Sequence, residues 1–370
     1  MIVVDKERTR EVLGRLHQAY IQKLYPFNQP EAVPPQIKKN IPPVLVWGSR
    51  EHALFLFALC YWMRGGIKSH TATHHLTKIY NAHPDIFLPE QVDRLSQEML
   101  INILGKTGLN FNVRDTSNGW LKNARRLRDM WGSDPRTLFS GIDTYEAACD
   151  RIQNRSKTGF HGFQEKMVSM ITYFFMHAGM VDQWNFPIPV DFHVLRTVFS
   201  HQIIRATQTE GRGNNGFYTK RILAQTRQIF LDYCEEHGVS PIELCDAVWL
   251  YSGLMCNQYP GNQSRGGRER RGRKTEIRPM PRWSKGQMKT YERTCAVCIV
   301  AKSCTWAIPA GPYYIGGRID LREKHESPPQ GILSLLPPPR SLRPFQKEKV
   351  GMKVAPEENV PFQESLFPLF

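Results

Sequence analysis

The 370-residue sequence has no apolar run long enough to cross a membrane, and it begins without the apolar core of a secretory signal. The longest apolar run, residues 53–63, is shorter than the roughly 20 residues of a membrane helix and leads directly into Arg64. Charged side chains appear from Asp5 onward. We therefore expect a soluble protein of the cytoplasm, where disulfide bonds are disfavoured.

Acidic residues are comparatively few, since 34 Asp and Glu stand against 49 Lys and Arg, for a net charge of +15. This excess predicts a polyanionic partner, most simply nucleic acid, although a merely solvated basic surface would show the same count. Between Cys256 and Cys295, eleven Lys or Arg residues face three Glu, a local balance of +8. We expect this Gly- and Arg-rich arm to contact DNA phosphates through Arg268, Arg270, Arg271 and Arg273, the alternative being a flexible linker.

Strand alternation is scarce and no internal repeat is present, whereas helical periodicity recurs along the chain. The sequence therefore predicts a mainly α fold. Helices are expected at residues 13–24, 53–63, 75–80, 92–104, 120–131, 145–152, 167–175, 194–204, 220–237 and 241–254. Prolines break this pattern at residues 26–43 and 187–189, and the Pro-rich segment 307–370 is expected to be an extended tail.

Three of the eight cysteines, Cys295, Cys298 and Cys304, follow a C-x2-C-x5-C spacing in a polar turn. Such thiolates can converge on one soft metal centre, with Cys256 at the end of an apolar helix as the candidate fourth ligand. Structural zinc and free core thiols are the alternatives. Clustering argues against free thiols, because Cys60, Cys149, Cys234 and Cys245 are scattered singly.

A glycine-containing turn with Gly162 and Gln164 leads into an apolar helix and places Lys166 in its first turn. Further on, Pro187-Ile-Pro precedes the run Val-Asp-Phe-His-Val-Leu-Arg, in which Asp191 stands at the start of a new helix. The simplest role of this aspartate is to cap that helix.

These features together resemble the helix-hairpin-helix DNA glycosylases of the endonuclease III type, over about residues 50–306. The resemblance implies a two-lobed fold. A six-helix barrel lobe with the hairpin would span residues 48–186, and a cluster lobe would comprise residues 1–47 and 187–306, with the basic insertion at 257–294. It also implies that Lys166 is the nucleophile, that Asp191 is the essential carboxylate, and that a [4Fe–4S] cluster is held by the four C-terminal cysteines, Cys256, Cys295, Cys298 and Cys304.

The chain departs from the family pattern in three ways. His161 stands in place of the hairpin proline, and Gln164 in place of its second glycine. The spacing from Lys166 to Asp191 is several residues longer than usual. The first two cluster cysteines are separated by the basic arm, which adds little closure entropy because that cost grows only logarithmically with loop length.

The chemistry requires these residue types. Cleavage of an N-glycosidic bond develops positive charge at the sugar C1′, which a carboxylate such as Asp191 stabilises. A lysine can attack only as the neutral amine, which desolvation and a helix N-terminus favour; otherwise Lys166 is a phosphate contact on an enzyme without lyase activity. The target base must leave the duplex, and the turn with Arg64 and Lys68 is where the family carries DNA-inserting residues.

The C-terminal segment contains Gln363-Glu-Ser-Leu366-Phe367, which resembles the Q-L-[SD]-L-F motif that binds bacterial replication sliding clamps, with Glu364 departing. Large apolar residues at the end of a polar tail indicate a docking peptide, although a tail packed on its own domain is the alternative.

The sequence therefore predicts a monomeric DNA glycosylase that acts on double-stranded DNA in base excision, with or without lyase activity at abasic sites. Two alternatives are a non-catalytic DNA-binding protein of the same fold and a glycosidase that acts on RNA or nucleotides. Retention of both Lys166 and Asp191 argues against the first, and the basic arm argues against the second.

Overall fold

The computed structural model describes residues 2–37, 40–63, 69–106, 112–206, 220–256 and 293–304. These residues are mainly helical, as predicted, and they divide into two compact units. One unit contains the described residues up to Ala32, Val190–Val239 and those from Glu243 onward. The other, called the hairpin unit below, contains Val33–Pro189 with Ser240–Ile242.

In chain order, the elements are β1 (Ile2–Val4), α1 (Lys6–Ile21), α2 (Arg50–Trp62), α3 (Ser69–Ala82), α4 (Gln97–Gly105), α5 (Val113–Trp131), α6 (Tyr145–Ile152), α7 (Glu165–His177), α8 (Phe192–Ser200), β2 (Ile204–Ala206), α9 (Lys220–His237) and α10 (Pro241–Cys256). Short 3₁₀ helices occupy Pro84–Phe87, Pro89–Arg94 and Pro135–Phe139. No described helix is long and apolar enough to span a bilayer.

Side-chain caps define where several helices begin. The side chains of Asp5, Ser49, Ser96 and Thr144 each accept a hydrogen bond from a backbone N–H in the first turn of the helix that follows. These caps satisfy donors that a helix N-terminus leaves unpaired.

The first unit packs α1 against the later helices of the chain. Val12, Leu13 and Leu16 are fully buried along one face of α1. Directly before α1, β1 pairs antiparallel with β2, with Val3 opposite Arg205. Segments about 200 residues apart in sequence therefore build this unit together.

The second unit is centred on α2, in which every residue from His52 to Trp62 is buried. Such a helix, apolar on all sides, belongs in the middle of a bundle. Phe57 lies 5.0 Å from Phe163 and 5.1 Å from Phe160 between ring centroids, so aromatic rings join α2 to the loop before α7.

Two predicted helices, 145–152 and 220–237, have the observed bounds of α6 and α9. The predicted helix 194–204 is wrong at its end, because Gln202 adopts a φ of 57° and Ile204 enters β2. The predicted start of helix 92–104 is also wrong. Pro89 begins a separate 3₁₀ turn, and Ser96 caps α4.

Candidate functional site

Asp191 lies where an extended proline-containing segment meets α8. Its Oδ1 accepts hydrogen bonds from the backbone N–H groups of His193 at 2.8 Å and Val194 at 3.1 Å, which confirms the predicted cap. Within the described residues, Oδ2 accepts no hydrogen bond, and the side chain is partly exposed. The helix therefore fixes one carboxylate oxygen and leaves the other available.

A buried polar network fixes α8 against α10. Arg196 is 2% exposed, and its Nη1 donates to the backbone oxygen of Ser252 at 3.1 Å and to its Oγ at 3.2 Å. The Nδ1 of His193 lies 3.3 Å from the same Oγ. Because a buried cation is tolerated only when it is well bonded, this network sets the position of the helix that carries Asp191.

Tyr251 lies close to three of the C-terminal cysteines, Cys256, Cys298 and Cys304. Its hydroxyl is 3.6 Å from the Sγ of Cys298 and 4.0 Å from the Sγ of Cys256. Burial first, and then the neighbouring Cys256, Cys298 and Cys304, raise the pKa of Tyr251 well above its ordinary value. The phenol therefore keeps its proton and can donate it to a thiolate.

Cysteine thiolates are the kind of donor that a soft metal centre prefers. The part of the chain that the structure describes contains no three His, Cys, Asp or Glu side chains spaced to hold a single metal ion. Burial raises the pKa of Cys256 to about 12, whereas the Arg196 guanidinium acts in the opposite direction. Metal binding requires deprotonated thiols, and a nearby cation and a hydroxyl donor both stabilise negative sulfur.

The hairpin between α6 and α7 depends on two glycines. A Cβ at Gly159 would stand 1.6 Å from the backbone oxygen of Gln153, and Gly162 has a φ of 87°. The backbone N–H of Asn154 donates to the oxygen of Phe163 at 2.7 Å, which closes the loop. Gly159 is required because a Cβ would clash with the backbone, and Gly162 is required because its positive φ is unfavourable for residues with a side chain.

Helix α5 holds the hairpin at His161. The Asn123 side chain donates to the His161 backbone oxygen at 3.0 Å and accepts from its backbone N–H at 2.7 Å. A Cβ at Gly119 would lie 2.3 Å from the His161 ring, whose Nε2 is 3.4 Å from Asp115 Oδ1. Proline, which this position has in the resembled family, could not donate to Asn123, so the departure has a structural reason.

Lys166 is the second residue of α7 and is partly exposed. Gln164 precedes the helix without a side-chain cap and is exposed, so it leaves the first-turn N–H groups of α7 without that bond. On α2, burial raises the pKa of the Cys60 thiol far above its usual value, and the Lys166 ammonium acts in the opposite direction. The lysine charge therefore lies close to a buried thiol.

Three solved structures are similar to this chain. One is the 8-oxoguanine glycosylase/lyase of Methanocaldococcus jannaschii in complex with DNA (14% identity, TM-score 0.42, 65% of this chain and 95% of that one). Another is a thermostable thymine-DNA glycosylase (10%, 0.46, 81% and 97%). The third is an endonuclease III–DNA covalent intermediate (11%, 0.38, 67% and 86%).

Two of the three are DNA glycosylases. No protein-family model matches the sequence, and no curated protein matches it.

The structure describes some of the predicted site residues and omits others. It places Cys256 and Cys298 near the hydroxyl of Tyr251, and it places Asp191 at the start of α8, as predicted for a helix cap. Predicted contacts that lie outside the described residues are Arg64, Lys68, Arg268, Arg270, Arg271, Arg273, Gln363, Leu366 and Phe367.

Sequence reasoning missed Asn123, Gly119, Ser252 and Tyr251. Asn123 and Gly119 are spaced four residues apart on α5, which places them on one helix face, but nothing in the spacing names the loop that they contact. Cys60, which in the sequence is only one of the scattered cysteines, is buried and neighbours Lys166.

Proposed function

We propose that this protein is a DNA N-glycosylase in which Asp191 is the essential carboxylate. The observation that supports this proposal most is the state of Asp191, with one oxygen fixed by two backbone N–H groups and the other uncommitted among the described residues. A carboxylate held in this way can face the positive charge that develops at C1′ without reorganising.

Duplexes that each contain one damaged, mismatched or modified base test this proposal. We expect base release from at least one duplex, measured as alkali-labile abasic sites. Asp191→Asn removes the charge without changing the volume, so release should fall by about 10³-fold or more while DNA binding persists. Asp182→Asn, at an exposed position, is the matched control. Release that is equal in Asp191→Asn and wild type would contradict the proposal.

We further propose that Lys166 is a nucleophile toward C1′ and gives the enzyme lyase activity. Attack by its neutral amine on C1′ displaces the base and forms a glycosylamine, whose C1′–O4′ bond then breaks to give a Schiff base while O4′ takes a proton. Borohydride should then trap a covalent enzyme–DNA adduct in wild type and in Lys106→Gln, but not in Lys166→Gln. Base release without trapping would mean that water is the nucleophile and that Lys166 is only a contact.

Cys256, Cys295, Cys298 and Cys304 are proposed to hold a [4Fe–4S] cluster, which would order the segment that contains them. We expect iron and acid-labile sulfide with broad visible absorption in purified protein. Cys256→Ser should lower the iron content, whereas Cys149→Ser should not, because Cys149 is a separate buried thiol. Stoichiometric zinc without iron would overturn this proposal and leave the glycosylase proposal intact.

Two partner proposals concern residues outside the described structure. Replacement of Arg268, Arg270, Arg271 and Arg273 by Ala should weaken DNA binding on all sequences and reduce its salt dependence, and an unchanged dependence would make the arm a linker.

Residues 361–370 should bind a sliding clamp as an isolated peptide with micromolar affinity at best, through Gln363, Leu366 and Phe367. Equal clamp retention of wild type and Leu366→Ala/Phe367→Ala protein would contradict the second proposal.

A further inference from the structure

The exposed face of α5 has an unbalanced charge. Arg114, Lys122 and Arg125 are exposed, and none of their side chains has an ion pair or hydrogen bond with any described residue. At 100° per residue, these positions fall within a sector of about 80° together with Asn118. The three cations therefore form one stripe along the helix.

The acids of α5 do not neutralise this stripe. Asp115 pairs with His161 at 3.4 Å, and Asp129 accepts from Arg128 at 2.7 Å. Arg128 in turn also donates to Asp93 at 2.5 Å. In the same unit, Arg50 and Arg136 are likewise paired with Glu90 and Asp134. Several cations of the unit are therefore paired with acids, whereas the three cations of the stripe are not and lie on a single helix face.

The stripe borders the helix face that holds the hairpin. Asp115, Gly119 and Asn123 contact His161, and their sector is centred about 100° around the helix from the stripe. The adjoining loop adds Arg155 and Lys157, which are also exposed and without a described acidic partner. The helix and the loop that it contacts therefore both have exposed cations without a described acidic partner.

We propose that the stripe of Arg114, Lys122 and Arg125 is a second contact surface for the phosphate backbone of duplex DNA, beside the hairpin. The eleven steps along the helix from Arg114 to Arg125 rise about 16 Å. Duplex DNA rises about 3.4 Å per base pair, so the stripe matches about five base pairs. This inference rests on the proposed function only in taking DNA as the polyanion.

The test measures the affinity of the full-length protein for a duplex by fluorescence anisotropy between 50 and 200 mM salt. Each phosphate contact contributes about 0.9 to the slope of log affinity against log salt, so three contacts contribute about 2.7. Over this fourfold range of salt, wild-type binding should weaken roughly 40-fold more than that of Arg114→Ala/Lys122→Ala/Arg125→Ala. Hydroxyl-radical protection should shrink by about five base pairs in the same variant.

The matched control removes the same charge from exposed lysines elsewhere in Lys6→Ala/Lys78→Ala/Lys302→Ala. Its slope should stay close to that of wild type. Equal slopes for the two triple variants, or an unchanged footprint, would overturn the proposal, because the effect would then be one of net charge alone.

Failure of this inference is distinguishable from failure of the proposed function. Base release with unchanged slopes would refute the stripe and keep the enzyme. A reduced slope in a protein that releases no base from any duplex would support the stripe and refute the enzyme. Thermal melting of the stripe variant should match wild type, since exposed Arg or Lys to Ala changes on a helix have little effect on stability.

Discussion

The unit that contains Asp191 and the unit that contains Lys166 position their functional side chains by different means. Asp191 begins a helix whose Arg196 is buried in a polar network with Ser252. Lys166 begins a helix whose Met167, Val168 and Ile171 are buried in an apolar core. Polar networks are specific but costly when one partner is lost, whereas apolar cores tolerate substitution of similar volume. We therefore expect the two units to respond differently to mutation.

The largest effect is expected in the aromatic core of the hairpin unit. Phe163 is fully buried and stacks on Phe57, so Phe163→Ala should lower the free energy of unfolding by about 3–5 kcal/mol. Urea denaturation followed by circular dichroism measures this loss. Phe163→Leu should recover most of it, and Met130→Ala, at a half-exposed position, should stay within about 0.5 kcal/mol of wild type. Equal losses in the Ala and Leu variants would contradict an apolar basis for the hairpin's position.

The polar network should respond in the opposite manner to conservative change. Arg196→Ala removes the guanidinium that donates to both Ser252 oxygens, and we expect a loss of about 3 kcal/mol in the same measurement. Arg196→Met, which keeps the volume, should restore little of this stability. Arg205→Ala, at an exposed residue, is the control. Substantial recovery in Arg196→Met would show that this unit, too, depends on packing alone.

The two hydrogen bonds between Asn123 of α5 and His161 of the hairpin are a polar contact within the hairpin unit. Asn123→Ala removes two hydrogen bonds to His161, and we expect a loss of roughly 2 kcal/mol. The stability of Asn123→Asp should lie between those of wild type and Asn123→Ala, because an aspartate can still accept a hydrogen bond from the His161 N–H but cannot donate one to the His161 oxygen. Asn154→Ala, in the same loop with an exposed side chain, serves as control. Wild-type stability in Asn123→Ala would remove α5 from the positioning of the hairpin.

The smallest expected effect is a pH dependence of the free energy of unfolding that arises from His52 in the hairpin unit. Burial lowers the pKa of His52 to about 4. In the unfolded chain, the imidazole of His52 binds a proton below about pH 6.5, whereas in the folded protein it does so only near pH 4. The contribution of neutral His52 to the free energy of unfolding is therefore complete above pH 6.5 and decreases as the pH falls. His52 should contribute about 1 kcal/mol of loss between pH 7 and 5.5.

Unfolding of His52→Gln should depend less on pH than that of wild type, and His83→Gln, at an exposed residue, should follow wild type. The buried His201, whose pKa is also lowered to about 4, should keep part of the dependence in both variants. Identical profiles for His52→Gln and wild type would exclude a neutral buried His52.

Sequence reasoning found the residues that local patterns mark and missed those that the fold brings together. Asp191 is recognisable because a proline-containing segment precedes an apolar helix, and the start of α7 follows from its apolar stripe. Asn123 and His161 are 38 residues apart, and Arg196 and Ser252 are 56 apart, so no local pattern announces either contact. Strands β1 and β2 have three residues each, too few to show alternation.

His161 shows how a departure from a family pattern gains a meaning only in three dimensions. In the sequence, it is a missing proline in the hairpin. In the structure, its backbone N–H is a donor that Asn123 uses, and the absence of a Cβ at Gly119 leaves room for its ring. The substitution and its two compensating positions form one set, although they lie on separate elements.

The pairing of β1 with β2 also bears on the order in which the chain can fold during synthesis. The hairpin unit is nearly continuous, so it can close soon after residue 189 emerges, whereas α1 must wait for partners such as Glu243 and Asp246, which bond to His17 and Tyr20. At about 5–20 residues per second, that delay lasts on the order of 10–50 s. Throughout it, the apolar face of α1 is exposed, so a nascent chain should be most vulnerable to aggregation and to chaperone capture at its first helix.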